Sequence, residues 1–205
     1  MVIDMHIHTR FSPCSNIRIR QLVQKAQERE LDGVCVTDHD TIDSLALFKN
    51  QPEVPGICII VGIEYTTQKG DFLVFGPIEQ IPKCMDAKNL LKWVQREGGV
   101  AIPAHPFRKD RPVDPDILLN SKIIEGLNGR NLPSENELCK EWILKNTNGV
   151  KIIGGSDAHT LAEVGRFVTV FEKNIYCAED LIEELRYGNY FPRQKTFPYK
   201  ATSSA

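Results

Sequence analysis

Short apolar runs alternate along the chain with longer segments in which apolar residues recur every three or four positions. Eight runs are rich in β-branched residues, and they span residues 2–7, 33–37, 57–63, 71–75, 100–103, 123–127, 151–154 and 167–171. Segments with helical spacing cover residues 19–30, 86–97, 134–145 and 178–187. Strands that alternate with helices indicate βα units and a mainly parallel sheet. Several runs are apolar at successive positions, as expected of strands buried on both faces.

This order of elements predicts an α/β fold with mainly parallel strands in a single domain. Seven or eight βα units favour a closed barrel, although the 205 residues of the chain fall short of the roughly 250 that are typical of a (β/α)8 barrel. We therefore expect a distorted TIM-like barrel, with an open doubly wound sheet as the alternative. Residues 193–205 are polar and have no clear period, so we expect a domain at residues 1–192 and an extended C-terminal tail.

Composition narrows the classes of protein to which the chain can belong. It is 41% hydrophobic and 25% charged, which indicates a folded rather than a disordered chain. The formal net charge of −2 provides no broad positive field for a long nucleic acid. Six cysteines without CxxC spacing are typical of a reducing compartment. Without a signal peptide or an apolar run of 18 residues, we expect a cytoplasmic protein with no membrane partner.

All five histidines end or follow strand-like runs, and none lies in a predicted helix. They are His6, His8, His39, His105 and His159. Parallel α/β sheets place their binding sites at the carboxyl ends of strands. A single histidine is usually a surface or core residue, but five in equivalent positions predict one shared site. His6 and His8 are two residues apart, so both rings point to the same face of a strand and can bind one metal ion.

Carboxylates accompany the histidines at these strand ends. Asp38 precedes His39, and it is either a ligand or the partner that fixes a histidine tautomer; Asp4 suggests the same orienting role. Glu64 and Asp157 end two further runs and are candidate bridging ligands. A mixed set of nitrogen and oxygen donors suits Zn, Mn or Fe better than Ca or Mg. Because one ion needs fewer donors, we predict two to three divalent ions.

The motifs, taken in order, resemble those of the PHP (polymerase and histidinol phosphatase) metal-dependent phosphoesterases. They are DxHxH at residues 4–8, TDH at 37–39, the isolated Glu64, GGxxxxAHP at 98–106, ExxN at 125–128 and GSDAH at 155–159. Each motif is weak alone, but the ordered set is specific and covers about residues 2–190. The resemblance implies a distorted (β/α)7 barrel with a trinuclear metal centre at the carboxyl ends of its strands.

The resemblance also implies a ligand set. The implied ligands are His6, His8, Glu64 and Asp157 for one ion, Glu64, His105 and Asn128 for a second, and His39 and His159 for a third. Two positions depart from the family pattern. Cys14 stands where some relatives have a histidine, and it is either a thiolate ligand, which would favour Zn or Fe, or a small packed residue. Asn128 replaces the histidine or cysteine of other members, and its amide is the poorer ligand.

The predicted activity is hydrolysis of a phosphate ester in a small metabolite, nucleotide or short oligonucleotide by a metal-activated hydroxide. Asp38 and His159 are the candidates for protonating the leaving group. Three arginines follow ligand-bearing runs and are candidates for orienting the phosphate, because a guanidinium matches phosphate oxygens in a bidentate manner. They are Arg108, Arg130 and Arg166. The sequence carries no signal for the oligomeric state.

Three other functions are compatible with parts of this pattern. An exonuclease or nucleotide bisphosphatase would use the same site and would bind short nucleic-acid ends. An amidohydrolase also has HxH on its first strand, but no lysine here ends a strand where a carboxylated lysine would be needed. A non-catalytic, metal-stabilised binding domain is disfavoured because almost all of the ligand types are present.

Overall fold

Ten strands and six helices make up the part of the chain that a computed structural model describes, which is residues 1–49, 56–146 and 149–197. The strands are β1 Val2–Ile7, β2 Gly33–Val36, β3 Cys58–Val61, β4 Ile63–Thr67, β5 Gly70–Phe75, β6 Val100–Pro103, β7 Ile123–Asn128, β8 Lys151–Gly155, β9 Phe167–Phe171 and β10 Tyr190–Gln194. The helices are α1 Ile19–Glu28, α2 Leu45–Lys49, α3 Ala87–Arg96, α4 Pro115–Leu119, α5 Pro133–Lys145 and α6 Ala178–Tyr187. The predicted α/β class is confirmed.

The strands form three hydrogen-bonded sheets, with the orders β10-β9-β1-β2-β3, β4-β5-β6 and β7-β8. Within the described ranges, the pairs β1–β2, β2–β3 and β7–β8 are parallel, and the other four pairs are antiparallel. The prediction of mainly parallel strands is therefore wrong. One cause is local: only two residues separate β4 from β5, and a two-residue connection joins antiparallel strands, whereas parallel pairing requires a long crossover.

The run at residues 57–63, predicted as one strand, divides into β3 and β4 in different sheets. Gly62 lies at the division. A Cβ atom there would come within 2.7 Å of the Phe75 ring and of the Val74 carbonyl oxygen. The close approach of β5 thus requires glycine at this position, and the chain turns there from the first sheet into the second.

The four predicted helices are confirmed to within two residues at each end, and the short helices α2 and α4 are additional. Their starts follow local signals. The Asp86 side chain accepts a hydrogen bond from the Asn89 N–H at the start of α3. Pro115 and Pro133 occupy the first positions of α4 and α5, where the missing N–H is not needed.

Buried residues from all three sheets meet in one apolar cluster. It includes Ile3 of β1, Cys35 of β2, Leu73 of β5, Ile102 of β6 and Ile153 of β8. Two further clusters pack helices against the outer faces of the strands, one with α1 and one with α3, α4 and α5. This arrangement brings the ends of strands from different sheets together at one edge of the shared cluster.

The C-terminal strand β10 extends to Gln194 and pairs antiparallel with β9. The segment predicted as a tail from Arg193 thus begins inside a strand, and Lys195 still donates its N–H to the Arg166 carbonyl oxygen at 2.7 Å. Residues 198–205 lie outside the described residues, and the division of the chain at residue 192 stays a prediction. No helix in the described ranges has both the length and the apolar content needed to cross a membrane.

Candidate metal centre

Side chains carried by β1, β2, β4, β6 and β8 converge on the carboxylate of Glu64. Glu64 Oε2 lies 3.3 Å from His6 Nε2, 3.1 Å from His8 Nε2 and 2.9 Å from His39 Nδ1. Glu64 Oε1 lies 2.9 Å from His105 Nε2. Four of the five predicted histidines thus contact one buried carboxylate, which is 1% exposed.

Asp157 faces Glu64 across the same two histidines. Its Oδ1 atom is 3.7 Å from His6 Nε2 and 3.3 Å from His8 Nε2, and the two Nε2 atoms are 3.0 Å apart. Ligand atoms at tetrahedral corners, each about 2.0–2.1 Å from a zinc-sized ion, lie about 3.3 Å from one another. The observed spacings bracket that value. His6, His8, Glu64 and Asp157 therefore fit the shell of one such ion.

The free ring nitrogens of His6 and His8 both face this group. His6 Nδ1 lies 3.0 Å from Glu125 Oε1 and donates its proton to that carboxylate. His8 Nδ1 donates to Ser12 Oγ at 3.2 Å, since the Ser12 hydroxyl proton is directed to Asp38 at 2.7 Å. Both Nε2 atoms then present lone pairs to two carboxylates and to each other. A cation is the partner that such a set of acceptors needs.

Glu125 is a functional residue for which the sequence supplied only a motif. Besides contacting His6, its Oε2 atom accepts the His105 N–H at 2.7 Å. A Cβ on Gly155 would lie 2.5 Å from His6 Cβ and 2.9 Å from Glu125 Oε1, so this pair requires glycine at the end of β8. The available signal was an acidic residue inside an apolar strand, because a buried carboxylate there requires a partner.

Asp38 and Asp4 lie outside the ring of donors. Asp38 accepts hydrogen bonds from the Thr9 N–H at 2.6 Å, the Thr9 hydroxyl at 2.7 Å and Ser12. It thus acts on His8 through Ser12. Asp4 accepts the N–H groups of Ser156 and Gly165, both at 2.8 Å, so it anchors the chain after β8 rather than a histidine ring. Burial raises the pKa of Asp4 to about 6.

A second group of donors consists of Glu64, Asp71 and His105, whose ligand atoms lie within 4.8 Å of one another. Asp71 was not predicted. Because β5 runs antiparallel to β6, with Phe72 opposite Pro103, the first residues of β5 lie beside the end of β6 that leads to His105. A search of strand carboxyl ends in a parallel sheet does not find such a residue.

Asn128 is buried beside the centre, but its amide oxygen points away from the other donors. That oxygen accepts hydrogen bonds from Arg108 Nη2 at 2.9 Å and from the Arg130 N–H at 2.8 Å. Its amide nitrogen donates to Glu125 Oε2 at 3.0 Å. The structure thus places Asn128 where it orients neighbouring groups.

A third group consists of His8, His39 and His159. The rings of His39 and His159 each lie 4.3 Å from the ring of His8, centroid to centroid. His39 and His159 are partly exposed, with 27% and 12% of their side chains accessible, so the centre opens on this side. Cys14 is exposed and belongs to none of the donor groups found in the described residues. Burial and the charge of Asp157 raise the pKa of its thiol, which disfavours the thiolate.

The charges in the centre favour cations strongly. Burial raises the pKa of Glu64 and Asp157, but the charge of His6 and the other imidazoles hold both well below their usual range. Burial lowers the pKa of His6, yet the surrounding carboxylates raise it well above its usual value. His159 behaves differently, because burial and the charge of His8 lower its pKa to about 4. Its ring is therefore neutral at pH 7 and available as a ligand.

Two of the three predicted arginines lie near the centre. Arg108 Nη2 donates to Asp157 Oδ2 at 2.6 Å. Arg130 contacts Glu163 Oε1 at 3.1 Å, and Glu163 Oε2 accepts the His159 N–H at 2.9 Å. Arg166 does not join them: its side chain is exposed and lies close enough to Arg29 to lower the pKa of that guanidinium, together with burial. The structure therefore gives no support to Arg166 as a phosphate ligand.

Two of the convergent residues have unusual backbone conformations. His105 has φ of 31° and Asp157 has φ of 52°, both in the left-handed region that residues other than glycine rarely adopt. Such strain clusters at functional sites, where the surrounding structure holds it in place.

The family model described as PHP-associated (PHP_C) matches residues 133–190. An uncharacterized protein, MJ1587, from Methanocaldococcus jannaschii is 28% identical over 117 residues, which is 52% of this chain and 68% of that protein. A protein named as a probable phosphatase, from Acetivibrio thermocellus, is 25% identical over 205 residues, covering 83% of this chain and 85% of the relative.

Solved structures share the fold at low sequence identity. PsfC from Pseudomonas syringae has a TM-score of 0.76 at 20% identity, with 95% of this chain and 91% of PsfC covered. A two-domain protein from Bacteroides vulgatus, titled as containing a predicted PHP-like metal-dependent phosphoesterase, has a TM-score of 0.71 at 21% identity over 95% of this chain and 64% of its own. The lesion-specific endonuclease PfuEndoQ from Pyrococcus furiosus gives 0.66 at 17% identity, over 93% and 57%. The matched PHP-associated segment, the phosphatase relative, the shared fold and the ordered histidine and carboxylate motifs agree, and the chain belongs to the PHP-domain family of phosphoester hydrolases.

Proposed function

We propose that the chain hydrolyses a phosphate ester of a small metabolite, nucleotide or short oligonucleotide at the centre built around Glu64. The observation that carries this proposal is the convergence of four imidazoles on one buried carboxylate, with the Arg108 guanidinium 2.6 Å from Asp157 on the same centre. Divalent ions in such a centre supply Lewis-acid activation of water and charge neutralisation of a phosphoryl group. Zn, Mn and Fe are the ions that this donor set suits.

The residues divide into holding and orienting roles. His6, His8, Glu64 and Asp157 would hold one ion, and His39 and His159 would contribute to another. The neutral ring of His159 supports its role as a ligand, and it argues against this side chain as the proton donor to the leaving group. Asp38 already accepts three hydrogen bonds, which supports an ionised carboxylate that orients Ser12 and His8.

Arg108 is the candidate for binding the phosphate. Its side chain is 22% exposed and lies between Asp157 and the loop that follows β6. A guanidinium at this place can donate two parallel hydrogen bonds to phosphate oxygens. Arg130 lies on the open side of the centre with 42% of its side chain exposed, and its partner Glu163 links it to the turn that carries His159. We infer that Arg130 contacts a more distal part of the substrate.

The proposal includes the barrel and the cellular site. The common interior shared by strands of all three sheets supports a distorted (β/α)7 TIM-like barrel, and the reduced cysteines support a cytoplasmic location.

Hydrolysis of a nucleic-acid end or of a nucleotide bisphosphate is the second candidate. The open side of the centre, lined by His39, His159 and Arg130, favours it because a substrate longer than one phosphate could enter there. A labelled oligonucleotide separates the two candidates, since stepwise shortening from one end is expected only for an exonuclease.

The test is a phosphate-release screen over sugar phosphates, mononucleotides, bisphosphates and dinucleotides. We expect the purified protein to release phosphate with bound divalent ions and to lose at least 99% of that rate after chelation. Asp157→Asn should behave like the chelated protein, whereas Arg166→Ala should retain the full rate. Full activity after complete chelation would contradict the proposal.

A further inference from the structure

Asp71 carries a buried carboxylate oxygen without a partner. The residue is 0% exposed, and in the described part of the chain its Oδ2 atom has no hydrogen-bond partner. The other oxygen, Oδ1, accepts from Arg111 Nη2 at 2.7 Å. A buried unpaired carboxylate oxygen is costly, so its persistence beside a cation-seeking centre points to a ligand.

The unpaired oxygen lies near two other donors. Asp71 Oδ2 is 4.0 Å from His105 Nε2, which in turn is 2.9 Å from Glu64 Oε1. Two ligands of one ion cannot lie farther apart than twice the metal–ligand distance, about 4.2 Å for bonds of 2.1 Å. Both distances satisfy this limit. His105 Nδ1 is likewise buried without a partner among the described residues, so no protein acceptor fixes the tautomer of this ring.

The family pattern would instead assign this position to residue 128. Here Asn128 directs its amide oxygen to Arg108 and to the N–H groups of Arg130 and Asn131, and its amide nitrogen to Glu125. Making that oxygen a ligand would break three hydrogen bonds inside a buried network. Asp71 needs no such rearrangement.

We propose that Asp71, rather than Asn128, completes the second metal position with Glu64 and His105. This inference rests on the proposed function for the presence of the ions, and it assigns one of their ligands. Arg111 holds Oδ1 from the solvent side, with 44% of its side chain exposed, and so keeps Oδ2 directed inward. Asn128 positions Arg108 and Glu125.

The test measures bound metal rather than turnover. Wild-type protein, Asp71→Asn and the matched control Asn128→Ala are stripped with chelator, titrated with Co²⁺ and Mn²⁺, and analysed by elemental analysis and by the visible spectrum of Co²⁺. We expect Asp71→Asn to bind one equivalent less, or to bind the weakest equivalent at least tenfold more weakly. Asn128→Ala should keep the wild-type number. Unchanged binding in Asp71→Asn, or the loss of an equivalent only in Asn128→Ala, would overturn the assignment.

Folding is checked independently on the stripped proteins by circular dichroism and thermal unfolding. If Asp71→Asn does not fold, Asp71→Ser removes the carboxylate with a smaller side chain and takes its place. The outcome also separates the two proposals. A wild-type protein that binds no divalent ion contradicts the proposed function as well, whereas normal binding by wild type and by the Asp71 variant contradicts only the ligand assignment.

Discussion

Glu125 Oε1 lies 3.0 Å from His6 Nδ1, and this contact turns the opposite ring nitrogen of His6 toward Glu64. The same carboxylate accepts the His105 N–H through its second oxygen. One buried side chain thus sets the orientation of two histidines on different strands, and it does so without contacting the ion positions itself. Partners of this kind hold a ligand ring in the tautomer that metal binding requires.

Glu125→Gln tests this relationship. The amide keeps the shape but removes the charge that orients His6, so we expect metal affinity to fall by about 10–100-fold. Isothermal titration with Zn²⁺ measures the change. Glu137→Gln, on the exposed face of α5, is the matched control and should leave the affinity unchanged. An unaffected affinity in Glu125→Gln would show that His6 needs no such partner.

Ser12→Ala interrupts the chain from Asp38 through Ser12 to His8. The variant leaves His8 Nδ1 without its acceptor and removes one of the donors to Asp38, so we expect a loss of about 1–3 kcal/mol in the free energy of unfolding. Metal affinity should fall as well. Chemical denaturation with and without bound metal measures both effects, and Ser134→Ala at the exposed start of α5 serves as the control. Equal stability of Ser12→Ala and wild type would refute the linkage.

Gly155→Ala should disrupt the centre by steric contact. The added methyl group would press on His6 Cβ and Glu125 Oε1, and overpacking of this kind typically costs about 1–3 kcal/mol. Gly98→Ala offers a contrast, because φ is +79° but nothing lies within 4 Å of the added atom. Both variants should lower the thermal midpoint, but only Gly155→Ala should reduce bound metal in elemental analysis. The prediction fails if the two variants retain the same metal content.

Arg108→Lys keeps the charge but removes the planar pair of donors. We expect kcat/KM for a phosphomonoester to fall about 10–100-fold, since hydrogen bonds to charged groups contribute about 1.5–3 kcal/mol. Steady-state kinetics on the substrate found in the phosphate-release screen provides the measurement. Arg166→Lys should have no effect, because that side chain lies near Arg29. A comparable loss in both variants would return Arg166 to the site.

Metal removal should destabilise the fold. Ions that bind the native state at 100 times their dissociation constant add about 2.7 kcal/mol, which for a chain of this size corresponds to about 5–11 °C in Tm. Differential scanning calorimetry with and without chelator checks this shift. The double variant His6→Ala/His8→Ala should show no response to chelator. A Tm that is independent of metal in the wild type would contradict the cation site.

The sequence was sufficient to predict the members of the first donor group. HxH places His6 and His8 on one face of a strand regardless of the tertiary structure, and Glu64 and Asp157 follow apolar runs whose ends meet at a common edge. The predicted helices were also accurate, because capping residues such as Asp86 and the proline at residue 133 mark their starts.

The errors share one physical cause, which is strand direction. Pattern and spacing identify a strand but not whether it pairs parallel or antiparallel with its neighbour. Asp71 begins an antiparallel strand and therefore reaches the centre from an end that was not considered. Arg166 precedes β9, which runs antiparallel to β1, and it is directed toward α1 instead of the histidines. The hydrogen bonds that commit Asn128 and Asp38 to other partners are tertiary, and no local pattern records them.

The left-handed backbone at His105 and Asp157 has a consequence for ion capture. Each such residue costs about 1–3 kcal/mol, and this cost is met when the chain folds. The two turns are consequently wound before an ion arrives, so little further ordering of the chain accompanies capture. A cage of fixed dimensions also discriminates by ionic radius: an ion that needs longer bonds than the preset spacing would have to unwind turns that the rest of the protein holds closed.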